Sequence, residues 1–311
     1  MGQRDQSLQR FTSLDWFLAS ILSLTWGSSF LLIAIAVEDL HPTVIPFGRA
    51  ATGAVALACF PGARNKIPLR QWPRIALLGL VWMALPFWLF PIAEQTVVSS
   101  IAGMMNGGLP VVMACVTALW VRRMPSAQRI FAILLGFVGI VVVALPAVRT
   151  ESAGGDSIAD TAGIVYLALA LLCYAIGANI ARPLQAQYSP ARLLMRVQFA
   201  AAAWTLPFAV PGARDSDFTN SAIGAVVALG VIGTGIAFVA FGTLLERTGI
   251  TRAMIPTYFT PIVGLILGAV FRSEYIALVS VLGMCIVITS AWLTSKPDNR
   301  DVMLSDSTRS R

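Results

Sequence analysis

Apolar residues in this chain are grouped into long blocks that are separated by short polar segments. Ten such blocks lie at about 14–37, 42–60, 73–92, 95–121, 128–146, 161–182, 190–210, 220–244, 250–271 and 275–293. A helix needs about 20 apolar residues to cross the hydrocarbon core of a bilayer. The pattern therefore predicts an all-α integral membrane protein with ten transmembrane helices, numbered here as spans 1 to 10.

The composition supports this class of protein. Hydrophobic residues make up 57% of the 311 residues and charged residues only 12%, whereas a soluble domain has about 25% charged residues. A net charge of +7 would suggest nucleic-acid binding in a soluble protein, but here the basic residues cluster between the apolar blocks. The expected partners are therefore the lipid bilayer and a small-molecule substrate, with no nucleic acid. The oligomeric state stays open and includes a monomer.

The distribution of Lys and Arg residues predicts the orientation of the spans. Segments on one side of the predicted membrane hold 17 of the 22 basic residues, and segments on the other side hold 3. Cytoplasmic loops carry the excess of basic residues, so both termini are expected in the cytoplasm. The block at 14–37 is longer than the apolar core of a signal peptide and is expected to remain as span 1.

The second half of the chain repeats the first. Shifts of 147 to 151 positions superimpose Pro110 on Pro261, Gly79 on Gly230, Arg49 on Arg196, and the sequence PGAR at 61–64 on its copy at 211–214. Because each half has five spans, the second half must enter the membrane from the opposite side, as in many secondary transporters. The predicted organisation is a cytoplasmic tail (1–13), a first five-helix repeat (14–146), an external linker (147–160), an inverted second repeat (161–293) and a cytoplasmic tail (294–311).

Short motifs in corresponding spans indicate a family. These are TWGSSF at 25–30, FGR at 47–49, LPV at 109–111, TPI at 260–262, LGFVG at 135–139 and LGM at 282–284. Together they resemble the EamA family of ten-span permeases in the drug/metabolite transporter superfamily. The resemblance covers both repeats. The chain departs from the family in the turn between the last two spans of the first repeat. Arg123 lies there in place of the usual Glu, whereas Glu274 supplies this Glu in the second repeat.

The resemblance carries expectations about function. It implies a central cavity lined mainly by spans 1, 3, 4, 6, 8 and 9. It also implies transport of small metabolites or drugs, often outward, across the bacterial inner membrane. The substrate does not follow from the resemblance, because members of the family differ widely in what they carry.

Arg49 in span 2 is the clearest candidate for substrate binding, and Arg196 in span 7 is the residue that corresponds to it in the second repeat. A charged residue in hydrocarbon costs at least about 2.5 kcal/mol, so it needs a partner or a function. One interpretation is that Arg49 binds an anionic group such as a carboxylate. The alternative is a structural role, through an ion pair, a helix-end contact or extension of the side chain to the interface.

Other candidates combine aromatic area with isolated polar groups, as a binding cavity requires. The predicted substrate-binding residues are Trp26, Ser29, Arg49, Trp82, Asn106, Tyr174, Asn179, Gln198 and Tyr258. The alternative for each of them is packing or hydrogen bonding between helices. Pro110, Pro256 and Pro261 remove backbone donors and favour kinks, so they are predicted hinge or gating residues.

Several chemistries are not expected. No Asp or Glu lies at the centre of a predicted span, which favours facilitated or exchange transport over tight proton coupling. The chain has no nucleotide-binding loop and no set of nucleophile and base, so we do not expect an enzyme. Its four cysteines are scattered through apolar blocks and it has one histidine, so no metal or other cofactor is expected.

These observations favour a secondary transporter that moves a small metabolite, such as an amino acid or a related compound. Export by alternating access, through rocking of the two repeats about a central site, is the predicted mechanism. Multidrug or toxic-compound efflux is the first alternative. A receptor or scaffold that does not transport is the second.

Overall fold

The computed structural model describes residues 12–122, 126–151, 160–248 and 253–294. Within these ranges every regular element is helical and no β-strand occurs. The all-α class predicted from the sequence is therefore confirmed for the described part of the chain.

Six helices form the first half of the chain. They are α1 (Ser13–Asp39), α2 (Val44–Ala58), α3 (Leu69–Ala93), α4 (Ser99–Asn106), α5 (Leu109–Val121) and α6 (Ala127–Glu151). α4 and α5 together occupy the predicted span 4. α6 extends five residues beyond the predicted end of span 5, into the segment expected to be the external linker.

The described residues of the second half contain five long helices. They are α7 (Thr161–Gln185), α8 (Pro190–Gly212), α9 (Asn220–Thr248), α10 (Ile255–Arg272) and α11 (Leu278–Thr294). Among the described residues, 7 helices could cross a membrane by length and composition, or up to 8 if α4 and α5 count as one span. α2 and α11 are apolar but shorter, so the count of ten spans stays a prediction.

Local sequence explains where several helices begin. Thr12 and Asp15 form a capping box at the start of α1, in which each side chain satisfies a free backbone N–H of the first turn. Asp160 accepts from the backbone N–H of Ala162 at 3.2 Å and caps α7. Thr219 does the same for Ala222 in α9. Capping residues of this kind typically contribute about 1 kcal/mol each.

Span 4 is bent where the sequence predicted a kink, but Pro110 is not at the break itself. The axes of α4 and α5 meet at 41°, and Gly107 and Gly108 occupy the break. Pro110 lies in the first turn of α5, where a helix needs no backbone N–H. A Cβ atom on Gly107 would lie 2.7 Å from Cγ of Pro261, so the break allows α4 and α10 to approach closely.

The two halves share an irregularity. A π-helical segment interrupts α3 at Gly79–Ala84, and another interrupts α9 at Val231–Ile236. The shift that superimposes Gly79 on Gly230 also superimposes these segments to within one residue. π-Helical segments often occur at functional sites, and their repetition at equivalent positions agrees with a duplicated chain.

The helices form a closed ring. α1 packs against α9, α9 against α2, α2 against α8, α8 against α3, α3 against α7, α7 against α5, α4 against α10, and α10 against α1. Each neighbour in this ring belongs to the other half of the chain. α6 and α11 pack against each other beside α4 and α5, with the backbones of Gly139 and Gly283 in close approach.

Gly230 should be intolerant of any side chain. A Cβ atom there would lie 2.6 Å from the carbonyl oxygen of Arg49 and 2.9 Å from the backbone nitrogen of Gly53, so α9 and α2 would have to separate. We expect Gly230→Ala to lower the free energy of unfolding by about 1–3 kcal/mol.

Thermal unfolding of the purified protein in detergent measures this effect, and Gly224→Ala is the matched control. A Cβ atom on Gly224 meets nothing within 4 Å, so this change should be neutral or stabilising by up to about 1 kcal/mol. Equal melting temperatures for the two variants would contradict the close packing of α9 against α2.

Candidate substrate cavity

An aromatic cluster from three helices of the ring lies near the middle of the helices. The ring of Trp26 in α1 lies 5.5 Å from that of Phe241 and 6.3 Å from that of Phe238, both in α9. Phe238 lies 6.4 Å from Trp82 in α3. Two of these residues, Trp26 and Trp82, were predicted from the sequence, and the structure brings them together through Phe238.

A second aromatic group lies closer to the end of the ring at which α1 ends. The ring of Phe90 in α3 lies 5.6 Å from Phe30 in α1 and 6.2 Å from Tyr174 in α7. Contacts among Phe30, Phe90 and Tyr174 thus connect the helices α1, α3 and α7 inside the ring of helices. Aromatic pairs of this geometry contribute about 0.5–1.5 kcal/mol beyond the area that they bury.

Arg49 is buried beside this second group. Its side chain is 8% exposed, its Nε donates to Oγ1 of Thr234 at 3.2 Å, and its guanidinium lies 4.0 Å from the ring centre of Phe87. Neither terminal nitrogen hydrogen-bonds to any residue in the described ranges, and no carboxylate there lies within ion-pair distance. Arg49 therefore carries a buried positive charge with two free donor groups.

Arg196, the counterpart of Arg49, has a different environment. Its guanidinium donates to the carbonyl oxygens of Ala63 at 2.9 Å and Asn65 at 2.7 Å, and also to that of Arg192 one turn away. These contacts tie α8 to the segment that follows α2. The donors of Arg196 are thus used by the fold, while those of Arg49 are not.

Three predicted polar residues lie at helix contacts. Asn179 in α7 hydrogen-bonds to Thr117 in α5 and to the carbonyl oxygen of Ala175. Ser29 donates to the carbonyl oxygen of Thr25 one turn away in α1. Gln198 is fully buried in α8, where its Nε2 lies 3.3 Å from the sulfur of Met83 and its Oε1 has no partner in the described chain.

The remaining predicted residues lie in α4 and α10. Asn106 is half-buried at the end of α4, next to the break in span 4. The hydroxyl of Tyr258 donates to the carbonyl oxygen of Ala291 at 3.3 Å, so it contacts α11. Pro256 lies in the first turn of α10, and Pro261 lies inside that helix.

The sequence did not single out Phe87, Thr234, Phe238 or Glu94. Phe87 lies in an aromatic-rich stretch of α3 that also contains Trp82, Trp88 and Phe90, so it had a recognisable signal. Thr234 had none, because the π-helical segment that contains it is visible only in the structure. Glu94 lies two residues beyond the predicted end of span 3, where the sequence pattern gives no signal of burial. The structure buries it to 8% exposure.

Glu274 binds the start of α4 from the turn between α10 and α11. Its carboxylate accepts from the backbone N–H of Ser99 at 3.0 Å, from the Ser99 hydroxyl at 2.7 Å and from the backbone N–H of Ser100 at 2.8 Å. A carboxylate at a helix N-terminus satisfies free backbone donors and the helix dipole. Arg123, the counterpart of Glu274, falls outside the described residues.

Comparison with known proteins now identifies the family. The model of the EamA-like transporter family matches residues 15–145 and 161–296, which is nearly all of both halves. The chain belongs to the EamA-like transporter family. It is therefore a multi-pass membrane transporter, as the motifs and the ring of apolar helices indicated.

Named relatives of this EamA-like transporter are distant but cover most of its length. An uncharacterized transporter of Archaeoglobus fulgidus is 22% identical over 89% of this chain and 97% of its own. A probable terminal-alkyne amino-acid exporter of Streptantibioticus cattleyicolor is 23% identical, over 88% of this chain and 90% of its own. An uncharacterized inner membrane transporter of Escherichia coli is 22% identical, over 88% of each chain.

One solved structure has the same fold. A protein of known crystal structure aligns with a TM-score of 0.63 over 90% of this chain and 95% of its own, at 17% sequence identity. The likeness at this identity concerns the arrangement of the helices alone.

The two buried arginines should differ in their contribution to stability. Arg196→Met removes the donors for three backbone carbonyl groups, so it should lower the free energy of unfolding by about 2 kcal/mol or more. Arg49→Met removes a buried charge that has no ionic partner, so it should change stability by less than about 1 kcal/mol or increase it.

Melting temperatures of the two variants in detergent give this comparison. Arg214→Met, which replaces an exposed arginine, controls for the change in side chain. A larger loss of stability for Arg49→Met than for Arg196→Met would show that Arg49 has a structural role.

Proposed function

We propose that this protein is a secondary transporter that exports a small metabolite with a carboxylate group, such as an amino acid or a related compound, across the bacterial inner membrane. Arg49 carries this proposal. Its two free donor groups match the two oxygens of a carboxylate. Phe87, Phe90 and Tyr174 beside it offer an apolar surface for the rest of a small substrate.

The relatives support this substrate class and direction. The Streptantibioticus cattleyicolor relative is named as a probable exporter of an amino acid, and an amino acid carries the carboxylate that Arg49 would bind. The Escherichia coli relative is named as an inner membrane transporter, which supports the location. The excess of Lys and Arg in alternate loops supports cytoplasmic termini.

The ring supports ten spans arranged as two inverted repeats. Each span has a counterpart five spans away in the other repeat. The counterparts of α1 and α9 are α7 and α3, and the counterparts of α1 and α10 are α7 and α5. The two helices of each of these pairs are in contact. In the pairs α2 with α8 and α4 with α10, each helix is the counterpart of the other, as in pairs on a two-fold axis in the membrane plane.

The ring also indicates which parts would move. Because neighbours alternate between the repeats, neither repeat is a separate body that could rock as a whole. The two-fold axis instead divides the ring into a first arc (α10, α1, α9, α2) and a second arc (α8, α3, α7, and α4 with α5). Rotation of these arcs about their contacts would open the cavity to either side in turn.

Two of the predicted hinge prolines lie where the arcs meet. Pro261 of the first arc packs beside Gly107 of the second, and Pro110 begins α5 just after the break. This location supports hinge roles for Pro110 and Pro261. Pro256 contacts Ser23 of α1 within the first arc, and its hinge role stays a prediction.

Multidrug efflux is the second candidate function. The cluster of Trp26, Trp82, Phe238 and Phe241 favours it, because a wide aromatic surface binds varied apolar compounds with little demand for hydrogen bonds. Resistance to apolar toxins on overexpression, with no exchange of carboxylates, would favour this candidate over the first.

Exchange in proteoliposomes tests the substrate class. Vesicles are loaded with unlabelled amino acids and related metabolites, and the entry of each labelled compound is followed. We expect saturable exchange of at least one carboxylate compound. Arg49→Met should reduce it by about 100-fold or more, because a paired buried charge is worth several kcal/mol.

Two control variants sharpen this test. Arg49→Lys should retain part of the exchange, because it keeps the charge without the paired donors. Arg214→Met, far from the cavity, should exchange like the unmodified protein. Full exchange by the Arg49→Met variant would contradict carboxylate binding by Arg49.

Cross-linking tests the movement of the arcs. Phe30 belongs to the first arc and Phe90 to the second, and their rings lie 5.6 Å apart. In a cysteine-free background, we expect a short bifunctional thiol reagent to join Phe30→Cys to Phe90→Cys and to stop exchange, and reduction of the link to restore it. Each single cysteine variant, treated in the same way, controls for the bulk of the reagent. Undiminished exchange with the link in place would rule out alternating access by these arcs.

A further inference from the structure

Glu94 lies at the end of α3 in an environment that does not suit a charged carboxylate. Glu94 is 8% exposed, and neither of its carboxylate oxygens has a hydrogen-bond partner within the described chain. Ala93 and Val97, its neighbours along the chain, are both buried in the apolar cluster that contains Phe30 and Phe90. An ionised carboxylate without partners is far more costly to bury than a neutral carboxylic acid.

The charged groups around Glu94 do not remove this cost. Arg49 of α2 faces it without forming an ion pair. Arg272, at the end of α10, pairs with Glu38 of α1. Glu274 adds a second negative charge nearby, and its own oxygens are satisfied by the start of α4.

Three other ionisable groups at this end of the ring make contacts of their own. Asp39, at the end of α1, accepts from the hydroxyl of Thr219 at 2.5 Å. Asp160, before α7, caps its own helix. Tyr174 of α7 packs against Phe90. Burial is the largest cause that raises the pKa of the Glu94 carboxyl well above its usual range, and repulsion from Glu274 is the second. The positive charges of Arg49 and Arg272 lower this pKa only in part.

The position of Glu94 between the arcs connects its burial to the transport cycle. Glu94 belongs to the second arc, while Arg49, Arg272 and Glu274 belong to the first arc or to the turn that follows it. Movement of the arcs that opened this end of the ring would expose Glu94 to water, where an ordinary carboxyl group ionises above about pH 4. Closure would bury it again.

Duplication of the chain offers an internal comparison. A shift of 152 positions superimposes Glu94 on Glu246, at the opposite end of the ring. Glu246 is exposed. Burial of the carboxyl group is therefore specific to one end and does not follow from its position in the repeat.

We propose that Glu94 is a proton-binding site of the transport cycle. The end of the ring at which α1 ends, which is the outer end if the termini are cytoplasmic, closes only when the carboxyl group of Glu94 is protonated. Each closure takes up one proton from the outer solution. The inference rests on the proposed function for its place in a cycle, but the site itself can be tested without transport. It replaces the expectation, drawn from the lack of acidic residues at the centres of spans, that protons play little part.

The direction of the pH effect follows from the two states. The closed state has the higher pKa at Glu94, so closure is favoured while the pH lies below the pKa of the open state. As the pH rises from there towards the pKa of the closed state, each unit shifts the ratio of open to closed forms by up to about 10-fold towards the open form. Glu94→Gln fixes a neutral side chain and should remove this dependence.

Chemical labelling tests the site directly. In a cysteine-free background, Val97→Cys places a thiol beside Glu94 in the buried cluster. We expect its reaction with a membrane-impermeant maleimide, corrected for the thiol's own pH dependence with denatured protein, to increase at least 5-fold between about pH 5 and about pH 8. With Glu94→Gln the corrected rate should stay low throughout, and with Glu246→Gln it should increase as before.

Glu94→Asp, which keeps a carboxyl group, should retain the pH dependence and gives a second variant if Glu94→Gln does not fold. An unchanged pH dependence in Glu94→Gln, or its loss in Glu246→Gln, would overturn the proposal. The same variants in exchange assays provide the second arm, in which a rising external pH should slow the unmodified protein and leave Glu94→Gln unaffected. If no compound is exchanged, the proposed function fails, and the labelling result still decides whether Glu94 binds a proton on closure.

Discussion

Close approach of helix backbones is the constraint on which this structure depends. Within a bilayer there is no hydrophobic force between helices, so their association relies on tight packing and on hydrogen bonds. Gly230 lies against the backbone of Arg49 in α2, and the Cα atom of Gly264 lies 3.3 Å from the Cβ position of Gly103. Both contacts join helices from different halves of the chain. The order of the helices in the ring follows from such contacts.

Departures from two-fold symmetry are as informative as the symmetry itself. Arg49 and Arg196 descend from one position, yet Arg196 binds backbone carbonyl groups while two donors of Arg49 stay free. Glu94 and Glu246 differ in the same way, since one is buried and the other exposed. In each pair, the member that is buried with polar groups lacking hydrogen-bond partners in the described chain is the one to which a role in transport is assigned.

Much of the fold could be predicted because its signals are local. Blocks of about 20 apolar residues identify membrane helices, and the shift between Pro110 and Pro261 reveals the duplication without knowledge of any contact. The family predicted from the motifs around Trp26 and Arg49 is confirmed. The exact break in span 4 was less accessible, because Pro110 marked the bend while the glycines before it form the break. The order of helices in the ring depends on contacts between distant parts of the chain, which no local pattern encodes.

The candidate site was predictable only in part, for a related reason. Trp26, Trp82 and Tyr174 could be selected by residue type and depth within a span. Their partner Phe238 could not, since a phenylalanine in an apolar helix is ordinary. Glu94 shows the difficulty most clearly, because the sequence places it at the end of a helix, and only the folded structure reveals that it is buried. The predicted substrate-binding and hinge residues stay predictions.

The alternation of the two halves around the ring also constrains how the protein is made. The ring helices of the first half pack against helices of the second half, so the first five spans leave the ribosome before any of these partners exists. Contacts so distant in sequence form slowly, and the polar side chains of Arg49 and Asn106 would meanwhile face lipid or the insertion machinery. Assembly must therefore wait for the last half of the chain. The two halves made as separate chains would have to pair with each other before either gained a stable tertiary structure.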